Sequence, residues 1–361
     1  MIWNGSPRLP PLPTTVVGSY SVPEWLGRLK TEYYQRRISA AHLSEIHEVV
    51  IKAALKDQER AGIDIVSDGE LRRDNDIDYF LARIPGVHVA QRAKADYYDY
   101  YEATAEAPLP EDDPLPQDHK APLGLAADFE FTRAQTDRPI KFSFTGPFSL
   151  SRRIGGAAYP DEADLVRALA RLLNTEARAL HEAGARILQI DEPFLAGYPE
   201  QAELAVEAVN IVTDGVPATW ALHVCYGNRY ARPSWEGHYD FLFPAVTGAR
   251  VDQITLEFAR KGLDDLRLLR QHDWDRSLGF GVIDVKSAAV EPPDLVASRI
   301  RRALEFVPPE RLMINPDCGL RHLTPEVARR KLHAMVAGTA IVRAELGGPD
   351  PDSLSTGDDH G

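Results

Sequence analysis

The chain has 361 residues, enough for one large core or two smaller ones. Its 44% hydrophobic and 26% charged residues are those of a globular protein, neither disordered nor membrane-spanning. A formal net charge of -13 and a pI near 5.4 oppose binding to polyanions, and no long segment supplies the basic stripe that nucleic acid would need. The first 13 residues lack the cationic start and apolar run of a secretory signal, and no apolar stretch approaches the roughly 20 residues of a spanning helix. The expected setting is cytoplasmic, with no membrane contact.

In chain order, strand-like runs alternate with helix-like ones. A strand over 15–18 is followed by the helical spacing of Leu43, Ile46, Val50 and Leu55 behind a cap at Ser39. Strands are predicted over 63–66 and 139–144, then a helix carrying Leu165, Leu169, Leu172 and Ala177 after a cap at Asp161. Further strands fall at 187–190, 218–224, 253–257, 278–283 and 312–315. Helices fall at 263–271, at 293–307 with Leu295, Ile300 and Leu304 inward, and at 325–346. Eight strands, mostly joined by helices, predict an α/β fold of the (β/α)8 TIM-barrel type rather than a doubly wound sheet.

Two regions break the rhythm. Around residues 90–125 lies an acidic, tyrosine-rich insertion with Tyr97, Tyr98, Tyr100 and Tyr101 ahead of a Pro-Glu-Asp stretch, read as a long loop, a lid or a subunit contact. The tail 347–361, rich in Gly, Pro, Asp and Ser, is expected to be flexible, leaving 1–346 as a single catalytic barrel.

The chemistry gathers at the predicted strand ends, where barrel enzymes place their sites. The first strand ends in Gly18 and Ser19, the second in Asp68, Gly69 and Glu70, the fourth in Asp191 and Glu192. The fifth carries His223 and Cys225, the sixth ends in Glu257, the seventh in Asp284 and Lys286, and the eighth is followed by Asp317 and Cys318. His223 and Cys225 stand two apart, on one face of a strand, and imidazole plus thiolate suits zinc. A lone His-x-Cys pair is more often core packing. With Glu257 and Cys318 at other strand ends, a metal is the better reading. Asp191 could instead cap a helix, Glu70 could make a surface ion pair with Arg72 or Arg73, and His322 is taken as an ordinary residue.

These segments together resemble the catalytic barrel of the cobalamin-independent methionine synthase family. The matching pieces are Leu12 through Tyr20, Asp64 through Glu70, Gln189 through Pro193, His223-Val224-Cys225, Glu257, and Pro316-Asp317-Cys318-Gly319, spread over about residues 12–343. The resemblance implies Zn2+ on His223, Cys225, Glu257 and Cys318. Because two thiolates and a carboxylate leave such a site negative and a substrate thiolate adds to it, Glu257 is the expected labile ligand. It implies that Ser19 beside Gly18, with Glu70 and Asp191, holds the amino-acid part of homocysteine. The expected reaction is methyl transfer to the homocysteine thiol, giving methionine. Two departures leave the donor open between a corrinoid, carried by a corrinoid protein, and a methyl-folate. The chain lacks the family's second barrel, and Lys286, flanked by Asp284, stands where the synthases have a histidine thought to act as proton donor. A lysine with its pKa lowered by burial would serve as that acid. A polyglutamylated folate would want a basic groove, for which Arg72, Arg73, Arg152 and Arg153 are the candidates.

An epoxyalkane:coenzyme M transferase would use the same zinc chemistry on a thiol without an ammonium group. A barrel with a structural zinc, or a corrinoid- or metal-carrying protein, is the reading outside catalysis, although the Cys-x-x-Cys spacing common in structural sites is missing. The assembly state, homo-oligomer included, is left open by the sequence.

Overall fold

The computed structural model describes residues 9–84, 87, 122–154, 159 and 161–347. The tyrosine-rich insertion and all of the tail beyond Gly347 lie outside the described residues. Six strands form one parallel sheet in chain order: β1 (Lys141–Thr145), β2 (Ile187–Asp191), β3 (Thr219–His223), β4 (Gln253–Leu256), β5 (Ser277–Ile283) and β6 (Leu312–Pro316). Nearly every residue in them is buried, as expected where strands are covered on both faces.

The two remaining predicted strands close the ring through single rungs rather than ladders. Thr14 bridges Ile314 of β6, Thr15 bridges Ile65, and Val66 bridges Ile140 next to β1. Thr15 N–H donates to Ile314 O at 2.8 Å, Ile65 N–H to Thr14 O at 3.0 Å, and Lys141 N–H to Val66 O at 2.9 Å. The Asp64 carboxylate clamps this seam by accepting from both the N–H and the hydroxyl of Thr14 at 2.8 Å. The barrel expected from the sequence is therefore present, with its first two strands shortened to one or two paired residues.

Ten helices are described: α1 (Glu24–Tyr34), α2 (Ala40–Ala61), α3 (Asp78–Leu81), α4 (Leu125–Arg133), α5 (Pro147–Ser151), α6 (Glu162–Glu182), α7 (Ala202–Thr213), α8 (Leu266–Gln271), α9 (Pro293–Leu304) and α10 (Pro325–Glu345). Ser39 and Asp161 cap α2 and α6 as read from the sequence, accepting from His42 and Ala163 N–H. α2 turns Ile46, Val50, Ile51, Ala54 and Leu55 inward at helical spacing, and α6 does the same with Leu165, Leu169, Leu172 and Leu173. On α9 two of the three residues expected inward hold: Ile300 is buried and Leu304 half-buried against the core. Val296 and Ala297 turn inward in the first turns instead of Leu295, which is 41% exposed. Packing of α10 against both α9 and α2 completes the outer ring.

Candidate functional site

The C-terminal ends of β2 and β3 lie in register, Asp191 beside His223, so the two side chains meet at the rim. Asp191 Oδ1 and His223 Nδ1 are 2.8 Å apart. Asp191 Oδ1 also accepts from Gln189 Nε2 at 2.7 Å, and the same amide donates to Val17 O at 2.9 Å. With Nδ1 occupied, Nε2 is the free ring nitrogen. It is buried and makes no hydrogen bond.

One ring nitrogen of His223 and the sulfurs of Cys225 and Cys318 all lie within 4.8 Å of one another. The two sulfurs are 3.6 Å apart, and both cysteines are free and buried. A tetrahedral zinc with metal–sulfur bonds of about 2.3 Å needs sulfurs about 3.8 Å apart, so this pair is spaced for a shared ion and not bonded as a disulfide. The neighbouring Cys225 sulfur and burial push the Cys318 thiol well up, so two thiolates here require a cation. An orphaned buried nitrogen, two close sulfurs and this cost of charge together fit a metal ion.

Glu257, the fourth expected ligand, is placed differently. Its carboxylate accepts from Lys286 Nζ through both oxygens, at 2.8 and 2.9 Å, and from Tyr226 N–H at 3.1 Å. Lys286 therefore does not show the lowered pKa expected of a buried acid. Burial works downward, but Glu257, Cys318 and Cys225 outweigh it, and the net shift is upward. Asp284 does not reach the cysteines. It accepts from Lys286 N–H at 2.8 Å and braces the turn that carries the lysine.

Two residues to which the sequence reading gave no role hold these loops together. Asp317 accepts from the N–H groups of Phe258, Ala259 and Arg260 at 2.8–2.9 Å, tying the loop after β6 to the loop after β4. The Tyr239 hydroxyl donates to Val224 O and accepts from Glu257 N–H, each at 3.0 Å. The place of Asp317 in the Pro316-Asp317-Cys318-Gly319 segment is the only sequence hint of the first. Nothing local marks the second.

His223, Cys225 and Cys318 line one cleft together with Ser19, Glu70, Arg73, Asp191, Arg321 and His322 among others. Glu70 has a left-handed backbone, φ 56°, directly after Gly69 at φ 70°. Strain of this kind in a non-glycine residue persists where the surroundings over-determine it. Here Asp68 Oδ1 accepts from Glu70 N–H at 2.9 Å, Ser143 Oγ donates to Glu70 Oε1 at 2.7 Å, and Arg73 Nη1 stands 3.2 Å from Oε1. Gly18 is needed for close approach: a Cβ there would collide with Glu70 Oε1. Ser19 packs against Gly319 in the same way, and its carbonyl accepts from Leu320 N–H at 2.7 Å. The Glu70–Arg73 pair is buried, not the surface pair considered from sequence. His322, taken there as ordinary, lines the cleft beside Tyr230.

A family model described as the catalytic domain of the cobalamin-independent synthase matches residues 12–340. The chain belongs to that family. The methionine synthase of Saccharolobus solfataricus is 36% identical over 341 residues, covering 94% of this chain and 97% of that protein. The methionine synthase of Sulfurisphaera tokodaii is 34% identical over 340 residues, at 94% and 95% coverage. Among solved structures, the B12-independent methionine synthase from Shewanella sp. W3-18-1 in complex with selenomethionine superposes with TM-score 0.80 at 28% identity. It covers 93% of this chain and 99% of that one.

As a member of the methionine synthase family the chain is a methyltransferase that methylates homocysteine, and the fold and activity expected from the resemblance both stand. The coenzyme M and non-catalytic readings give way to it. The basic groove does not form from the four arginines considered for it. Arg72 pairs with Asp128, Arg73 with Glu70, Arg152 with Glu162 and Arg153 with Asp78. Of the four, only Arg73 reaches the cleft. Among the described residues, no helix is long and apolar enough to cross a membrane.

Proposed function

We propose that the chain is a zinc-dependent homocysteine S-methyltransferase whose metal is held by His223, Cys225 and Cys318, with Glu257 as an exchangeable fourth ligand. The observation that carries this reading is the buried, unpartnered Nε2 of His223 beside two sulfurs 3.6 Å apart, in a carboxylate-lined cleft. Zinc, when bound there, keeps a coordinated thiol deprotonated near neutral pH.

The chain's own residues do the rest. Asp191 fixes the His223 tautomer through Nδ1, leaving Nε2 as the ligand atom. Glu70 and Asp191 both face the cleft and offer the counter-charge that a buried α-ammonium requires, which favours an amino-acid thiol over a neutral one. Ser19, held against Gly319 at the same rim, is the candidate donor to the substrate carboxylate. The ion-paired arginines argue against a polyglutamate-binding groove, so a corrinoid, presented by a corrinoid protein, is the favoured methyl donor. The catalytic unit in this reading is the barrel 1–346, working in the cytoplasm, where two free buried cysteines stay reduced.

The test is to incubate zinc-loaded protein with homocysteine and, in separate reactions, methylcobalamin or methyl-folates, with a short epoxide plus coenzyme M as a control, following product by mass. Methionine formed from methylcobalamin supports the reading. Methionine from the methyl-folate alone would replace the donor, and product only from the epoxide and coenzyme M would replace the acceptor.

A further inference from the structure

The Lys286–Glu257 pair is buried on both sides, at 4% and 0% side-chain exposure, and the ammonium touches both carboxylate oxygens. With Tyr226 N–H also on Oε1, the carboxylate is satisfied where it stands. Any ion that recruits Glu257 must compete with the ammonium for the same lone pairs. Lys286 is itself braced. Its N–H donates to Asp284 Oδ1 at 2.8 Å, Asp284 N–H donates to Glu291 Oε1 at 2.8 Å, and Glu291 Oε2 pairs with Lys331 at 2.8 Å. The lysine is a fixed post on a rigid turn.

Charge counting shows what such a post does. A divalent ion on two thiolates and one imidazole is neutral overall, and an incoming substrate thiolate makes the group singly negative. A carboxylate remaining on the metal would make it doubly negative in a buried place, which is costly. A carboxylate moved onto an ammonium adds no net charge.

We propose that Lys286 is a positioning residue that receives the Glu257 carboxylate when the substrate thiol takes its place on the metal, the ion pair seen here being the released position. The proposal rests on the zinc reading above and names the residue that makes the fourth ligand exchangeable.

It is tested by metal binding rather than turnover, on wild type, Lys286→Met, Glu257→Gln and the double variant. Zinc affinity is read by competition with a chromophoric chelator, and thiol coordination by the cobalt(II) absorption spectrum. Without its ammonium partner Glu257 stays on the metal. Lys286→Met should then hold zinc about tenfold more tightly, the lower end of what changes around metal ligands produce. The homocysteine concentration giving half of the cobalt spectral change should rise by a similar factor. On the Glu257→Gln background both effects should vanish. Lys286→Gln, which keeps a donor but not the charge, should move both quantities in the same direction and covers the case in which the methionine variant does not fold. Wild-type values in the Lys286 variants, or shifts that persist in the double variant, would overturn the proposal. A wild-type protein that takes up neither zinc nor cobalt would remove the zinc reading itself, and the proposal with it.

Discussion

Asp191 Oδ1 stands 2.8 Å from His223 Nδ1 while the same residue lines the cleft, so one carboxylate is shared between the His223–Cys225–Cys318 group and the cleft wall. A histidine ligand whose second nitrogen is held by a carboxylate is fixed in tautomer and orientation and is made more basic.

Replacing Asp191 by Asn should therefore weaken zinc binding by about 10- to 100-fold and raise the KM for homocysteine in the same protein. Chelator competition and steady-state kinetics read the two effects separately. Zinc affinity left at the wild-type value would show that the His223 contact does not support the metal.

Cys318→Ser removes one of two sulfurs 3.6 Å apart. The variant should lose bound zinc and methyl transfer together while keeping its barrel. Adding zinc should raise the melting temperature of wild type, with about 4 kcal/mol of stabilisation at a thousandfold excess over Kd, but not that of the variant. A variant that retained metal and activity would remove Cys318 from the site.

Burial holds the Glu70 carboxyl well above the usual carboxylate range, with Arg73 opposing the shift and Asp191 adding to it. An ammonium group is accepted only by the ionised form. Part of the free enzyme is thus protonated near neutrality, and the KM for homocysteine should fall as pH rises from about 6 to 8. Glu70→Gln should abolish that pH dependence and raise KM by roughly 10- to 100-fold, the loss of one charge-assisted hydrogen bond. A KM that is flat in wild type, or still sloping in the variant, would show that the titrating group is elsewhere.

Lys141 sits inside the barrel on β1, 2% exposed, and its Nζ has no hydrogen-bond partner. Burial pulls its pKa down to about 7, although Asp191 and Glu70 act upward. The unfolded chain titrates near 10.4, so the cost of burial is absent above that pH, grows as pH falls, and is complete below about 7. Lys141→Met should stabilise the fold by about 2–4 kcal/mol at pH 7 and by much less at pH 10. Thermal melts at both values check the sign. A gain independent of pH would point to packing rather than charge.

Legibility from sequence followed the range of each interaction. The caps at Ser39 and Asp161 and the apolar spacing of α2 and α6 depend on residues three or four apart, and they were readable. On α9 the helix start at Pro293 was placed correctly, but spacing alone did not decide which face of the first turn packs, and Leu295 lies outward. The first two strands were drawn too long, and the first began one residue late, at Thr15 instead of Thr14. Their pairing partners, Ile314 and Ile140, lie elsewhere in the chain, and only the ring geometry limits each to a rung or two.

By itself the sequence determined the barrel rhythm, the family and the types of side chain delivered to one rim, because strand alternation and residue order are local properties. Tertiary structure alone decided which of those side chains touch. Glu257 meets a lysine 29 residues away, Asp317 reaches back to N–H groups 57 to 59 residues earlier, and Cys225 meets Cys318 across 93 residues. The physical reason is that strand order sets which loops are neighbours, while angstrom-scale packing and the cost of burying charge select the partners among them.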